Sequence, residues 1–391
     1  MDPETQPPFE GGPSSEASET VVAPETTISP DSPGLPPEPP YRGLRWIFIG
    51  DQGLRGGWSI VIFAILFLLF AGGLGFAVSK MHPPRAHGSE FTPFRAILGE
   101  ALTLLAILGA AAIVALIERR SMMDYNLAGP RRVPNFFSGL AIGFAALSLL
   151  VGLLAGGGWL HYGGVALSGA AILRYALLWA CAFLLVGCAE EGMMRCYLQF
   201  TLTRCLNFWW ALALIAAMCL DLILRTKGNG VWGVYAVALL GLFPCLYLHQ
   251  KSAARGAFWY AAWVTSTAFG FLHTTNGGEN WIGIFSAAAI GFIFCVTIRL
   301  TGSAWWAIGC HAGWDWAETY FYGTADSGVT AQGHYLVTSP AGNPFWSGGT
   351  DGPEGSVLIL PVLVFLLAAL LLIYRRKTAP EPLPALEQAT D

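Results

Sequence analysis

The feature that most constrains this chain is a series of apolar stretches, each long enough to cross a bilayer, some of which carry ionisable residues. A hydrocarbon core of about 30 Å needs roughly 20 helical residues. From Trp58 onward such stretches recur at about 58–78, 97–117, 137–158, 170–192, 208–224, 231–249, 257–274, 281–299, 303–320 and 356–374. In lipid every backbone polar group must be satisfied internally, which leaves helices or closed barrels, and a barrel needs short alternating segments. The expected fold class is therefore all-α: a polytopic transmembrane helical bundle of about ten spans, with the bilayer as its solvent. Composition agrees, because 54% hydrophobic and 12% charged residues in 391 would leave a soluble domain almost nothing polar to put outside.

Charge placement predicts sidedness, since Lys and Arg near span ends favour the cytoplasm. Starting from a cytoplasmic N-terminus, the inside segments collect 15 basic residues, among them Arg119, Arg120, Arg131, Arg132, Arg195, Arg204 and Arg299, and the outside segments only five. Both termini are then cytoplasmic. Residues 1–42 are rich in Pro, Glu, Ser and Thr and read as a disordered cytoplasmic tail with no basic start or apolar run of a signal peptide. The membrane domain follows over 43–377, and 378–391 form a flexible C-terminal tail. The Gly-rich stretch 321–355, with Pro340, Pro344 and Pro353, is an external loop placed to fold back as a lid. Eight cysteines without a C-x-x-C pair read as buried small hydrophobes. The net charge of −4 is concentrated partly in the tail and points to no nucleic-acid partner.

An ionisable side chain inside a span is costly, so each one is a functional candidate. Five stand out: Glu190, Glu191, His273, His311 and Asp315. On a helix Glu191 and Arg195 lie four apart and can form an ion pair on one face, while Glu190 points about 100° away. His311 and Asp315 share a face by the same spacing, in which two ligands can hold a metal or one group can orient the other. Each segment also has a structural reading: 190–195 as the polar end of a helix, His273 as a hydrogen-bonding residue at another. Together the residues offer a carboxylate to accept a proton, imidazoles to polarise water or bind a metal, and an acid to orient them. They can meet at middle depth if the fourth helix continues to about Leu206 and the seventh continues past His273, enclosing a polar intramembrane cavity.

The motifs E-E-x-x-x-R (Glu190, Glu191, Arg195), F-x-x-x-H (Phe269, His273) and H-x-x-x-D (His311, Asp315), in this order on separate apolar segments, resemble the CPBP family of intramembrane proteases. That family includes type II CAAX prenyl endopeptidases and bacteriocin-processing or immunity-related membrane proteins. The resemblance covers about 185–320. It implies an intramembrane endopeptidase that hydrolyses a peptide bond of a membrane-associated protein or peptide, with water activated by Glu190 and His273. His311 and Asp315 would stabilise the oxyanion or hold a metal, Glu191 and Arg195 would position their helix, and Phe269 and Asn276 would support the site. The metal question stays open: zinc on His273, His311 and Asp315, or none. The chain departs from the family in the 73 residues between Arg195 and Phe269, which leave room for an inserted hairpin at about 208–250 beside eight family-like spans. A bacterial plasma membrane is the expected location. A silent scaffold or immunity protein, and a proton- or cation-coupled transporter, are the competing functions.

Overall fold

The computed structural model describes residues 45–50, 53–81, 91–228, 231–251 and 256–375. Contacts divide the chain after Trp46, and the fold described here is that of the second unit, Ile47–Asp391. The two expected tails, 1–42 and 378–391, lie outside the described residues.

The described residues form a helical bundle, as the apolar periodicity predicts. The long helices are α1 (Gly56–Met81), α2 (Pro93–Glu118), α3 (Arg132–Gly156), α4 (Ala170–Glu191), α5 (Phe208–Thr226), α6 (Val231–Lys251), α7 (Gly256–His273), α8 (Trp281–Thr301), α9 (Trp305–Asp315) and α10 (Ile359–Arg375). Helix α4 runs on through a π-helical turn, Gly192–Leu198, to a last segment ending at Cys205. The expected long fourth helix is thus present. The seventh is not: α7 ends at His273. There Thr274 and Thr275 turn their hydroxyls back onto the carbonyls of Phe271 and Leu272, and Gly277 and Gly278 follow. Side chains that bond local backbone compete with helix continuation, and paired glycines disfavour it further.

Among the described residues, seven helices are long and apolar enough by length and composition to cross a membrane. Three expected spans fall short of that description, and the reason is visible in their surroundings. Helix α7 buries Tyr260, Thr265, Ser266 and Thr267, and α9 with its continuation Trp316–Tyr322 carries His311, Asp315 and Glu318 inside the bundle. These two face protein, so they need not be as apolar as a lipid-facing helix. Helix α10 is apolar but short. The outer faces are those of lipid-exposed helices: Leu68, Phe76, Leu116, Trp209, Trp232, Phe365 and Leu372 are all exposed.

Helix α9 is placed by close backbone approach. A Cβ added to Gly139 or Gly143 of α3 would lie 2.1 Å from the carbonyl oxygens of Trp306 and Cys310. One added to Gly309 or Gly313 of α9 would lie 2.1–2.2 Å from those of Phe136 and Leu140. Two small-x-x-x-small stripes face each other, the arrangement that lets membrane helices pack backbone to backbone. His311 lies between the two glycines of α9, so this contact sets its depth and rotation.

On one side of the bundle Glu118, at the end of α2, accepts from the hydroxyl of Ser59 (α1), from Arg120 Nε at 2.8 Å and from Arg204 Nη1 at 3.1 Å. At the opposite end the loop after α9 is folded back. Its strand Leu336–Pro340 pairs antiparallel with Leu160–Val165, and Gln332 N–H donates to Phe91 O at 2.9 Å. This pairing and a second, Ile49–Gly50 with Gly53–Leu54, are the strands added to an otherwise helical fold.

Candidate active site

The π-turn after Glu191 marks the start of the site. Glu191 and Arg195 form the expected ion pair, Nε to Oε2 at 3.2 Å, with both side chains wholly buried. Burying two charges is costly unless further partners serve them, and here both have more. Glu191 Oε1 accepts from His311 Nδ1–H at 2.8 Å. The Arg195 guanidinium lies 4.4 Å from the ring centroid of Phe269 and 5.6 Å from that of Phe294, as a cation on two aromatic faces. Gly291 makes room for it, since a Cβ there would meet Arg195 Nη2 at 2.1 Å.

Glu191 therefore does more than hold its own helix: it fixes the imidazole of His311. With Nδ1 engaged, His311 Nε2 faces Asp315 Oδ2 at 3.4 Å and Glu190 Oε2 at 3.8 Å. His273 is oriented in a similar way by its own helix, because Nδ1–H donates to Phe269 O at 2.8 Å. A carbonyl can only accept, so in the neutral ring Nε2 is the basic nitrogen. The Phe269 ring lies 4.7 Å from that of His273 and 6.1 Å from that of His311, joining the two imidazoles and Arg195 in one packed group.

Glu190, His273, His311 and Asp315 all line one cavity of about 560 Å³, together with Phe269 and Asn276. Glu191 stands behind it. The motif residues meet through the continuation of α4 beyond Glu191 and through the turn after α7, whose Thr275, Asn276 and Gly277 return to the cavity wall. Asn276 is on the wall and donates to Glu279 Oε1 at 3.3 Å.

Three further carboxyl groups reach the cavity wall: Glu100 from α2, and Asp326 and Glu354 from the loop after α9. Glu100 interrupts the apolar run 97–117 and could have been picked out by the same rule that selected Glu190. Asp326 and Glu354 sit in a Gly-rich loop and carried no such signal. Burial holds the Asp326 and Glu354 carboxyls above the usual carboxylate range, with a nearby hydroxyl, that of Thr319, acting against it at Asp326.

Among the described residues no three His, Cys, Asp or Glu side chains are grouped so as to hold a metal ion; His273, His311 and Asp315, the residues expected for zinc, line the same cavity.

Residues 172–317 match the family model described as type II CAAX prenyl endopeptidase Rce1-like. Over those residues the motif core is similar to the CAAX-type intramembrane proteases, a hydrolase family, and supports the CPBP resemblance; it is carried on a multi-pass membrane bundle. The matched segment begins in α4 and ends in the turn after α9, so it contains every motif residue and the α5–α6 hairpin. Glu100, Asp326 and Glu354 lie outside it. No curated protein and no solved structure matches the chain.

Proposed function

We propose that this protein is an endopeptidase that hydrolyses a peptide bond of a membrane-associated protein or peptide inside the cavity. The observation that carries the reading is the convergence of Glu190, His273, His311 and Asp315 on one cavity enclosed by apolar helices.

In this reading Glu190, the partly exposed carboxylate on the wall, takes the proton of a water whose other hydrogen is accepted by His273 Nε2. The hydroxide attacks the scissile carbonyl and a tetrahedral oxyanion forms. His311 is held in the complementary role. Glu191 fixes its Nδ1–H, and Nε2, 3.4 Å from Asp315 and 3.8 Å from Glu190, supplies when it carries a proton the donor that the oxyanion needs. Protonated Glu190 then delivers its proton to the leaving amine and returns to carboxylate, so the cycle is balanced by one water consumed. A preorganised donor in a site shielded from bulk water is worth far more than in solution. The substrate is a polypeptide segment within or at the bilayer, and the protein acts in a bacterial plasma membrane with both termini in the cytoplasm.

The test is a comparison of new N-termini in membranes of cells carrying either the wild type or Glu190→Gln at equal abundance. The reading expects at least one membrane-associated protein whose cleaved form is present only with the wild type. Identical N-terminal profiles in both would argue for a silent scaffold.

A further inference from the structure

The loop after α9, residues 323–358, supplies Asp326, Ser327, Val329 and Glu354 to the cavity wall. It is held over the cavity by contacts of an unusual kind. The turn around Gly328 rests on the turn between α7 and α8 so closely that a Cβ on Gly278 or Gly328 would lie 2.3 Å from the other's Cα. Gly328 N–H donates to Asp351 O at 3.0 Å. Beside it, Asp351 accepts from Asn280 N–H at 2.9 Å, at the start of α8. Glu279 approaches the same place. A methyl position on Gly283 would lie 2.4 Å from Asp351 Oδ2 and 2.6 Å from Glu279 Oε2. Asp351 Oδ1 and Glu279 Oε2 are buried with no hydrogen-bond partner.

A second carboxyl pair repeats the pattern. Trp314 Nε1–H donates to Glu354 Oε1 at 2.6 Å and to Glu318 Oε2 at 3.2 Å, and Glu318 Oε1 is buried without a partner. The charged groups facing these pairs are acidic apart from one imidazole, and Asp351 and Glu279 themselves face Glu354. Asp326 faces both pairs, Asp315 faces the second, and across the cavity Glu190 and the imidazole of His311 act on Asp326. Neighbouring carboxylates in a buried space repel one another when both are charged, and a proton on Asp351 and on Glu354 relieves that repulsion.

We infer that this loop is a proton-sensitive gate: it is closed while Asp351, beside Glu279, and Glu354, beside Glu318, each hold a proton, and it lifts to admit a polypeptide segment when Asp351 and Glu354 ionise. Burial and the neighbouring Glu279 push the Asp351 carboxyl up to about 7, and burial with Asp326 holds Glu354 well above the usual range. Because these values are raised in the closed state, the closing contribution is complete in acid, below the ordinary carboxylate range, and is lost as pH rises through about 7. The consequence for cleavage rests on the hydrolase reading. The loop motion does not.

Hydrogen exchange of the full-length protein in detergent, corrected for the intrinsic chemical rate, reads the gate directly between pH 5 and pH 8. Each linked proton changes the opening equilibrium about tenfold per pH unit between the ordinary carboxylate range and the closed-state value, and the dependence levels off above it. The amides of Gly328, Val329 and Gln332 are expected to lose about tenfold protection or more from pH 5 to pH 6 and little further from pH 7 to pH 8, while the paired strand Leu336–Pro340 keeps its own. Asp351→Asn combined with Glu279→Gln preserves shape and removes one of the two linked groups, so it is expected to lower the slope by about tenfold per pH unit and leave the part carried by Glu354. Glu354→Gln alone is expected to reduce the slope. Protection that does not vary with pH in the wild type, or a double variant with the wild-type slope, would overturn the gate. Exchange is measured whether or not any peptide is cut, so failure of the gate and failure of the hydrolase reading are separate results.

Discussion

At the scale of single residues, Glu191 carries the most structural consequence. It pairs with Arg195 and fixes His311, both from a position with no solvent access. Replacing it with Ala leaves the Arg195 charge buried and uncompensated, a change worth about 3–5 kcal/mol. The expected outcome is a large loss of thermal stability in detergent, whereas Glu190→Gln, on the exposed wall, should leave the melting temperature within a degree or two. Gly291→Ala is a subtler test. The added methyl would meet Arg195 Nη2, so the guanidinium must move off the Phe269 and Phe294 rings, and we expect both a lower melting temperature and weaker activity. The i, i+4 pairs were legible in the sequence, because spacing alone puts Glu191 with Arg195 and His311 with Asp315. The bond between Glu191 and His311 was not. Spacing along one helix says nothing of which face of another helix it meets across 120 residues.

At the scale of elements, the α3–α9 contact decides where the chemistry sits. Gly143→Ala or Gly313→Ala would set a methyl against a backbone carbonyl at about 2 Å, which neither helix can relieve by a rotamer change. Overpacking of this kind costs about 1–3 kcal/mol. We expect a melting temperature lowered by several degrees and, since α9 carries His311, a loss of cleavage larger than the loss of folded protein explains. The helices themselves were readable from runs of apolar residues. Their ends were less so. The end of α7 at His273 is set by Thr side chains that bond their own backbone, a local competition that hydropathy does not register. Helices α7 and α9 were read as spans like the rest because an apolar run does not distinguish a lipid-facing helix from one walled by its neighbours, and α10 because its apolar run is long while its helix is short.

At the scale of the whole membrane unit, the contacts fall on two opposite sides. Glu118 with Ser59, Arg120 and Arg204, and Ala304 N–H on Asn126 O, lie at one end. The strand pair Leu160–Val165 with Leu336–Pro340 and the Gly278–Gly328 contact lie at the other. The basic residues Arg119, Arg120, Arg131, Arg132, Arg204 and Arg299 cluster at or near the first end, which the rule of cytoplasmic positive charge assigns to the inside. In a cysteine-free background, a cysteine at Tyr162 is expected to react with a membrane-impermeant reagent applied outside intact cells, and one at Arg131 only after lysis. The bundle was legible because the solvent leaves so few alternatives, and 321–355 as an external loop because Gly and Pro composition marks one; which of its residues reach the cavity was not, because composition does not say where a loop rests. The central claim is that the cavity lined by Glu190, His273 and His311 hydrolyses peptide bonds. Its most direct test is cleavage of a panel of fluorogenic peptides by purified protein in detergent, comparing the wild type with Glu190→Gln, His273→Ala and His311→Ala at matched folding. Catalysis by this cavity predicts that the wild type cleaves at least one peptide and that each variant loses about a hundredfold or more, the scale of general acid–base and oxyanion contributions; variants that cleave as fast as the wild type would contradict it.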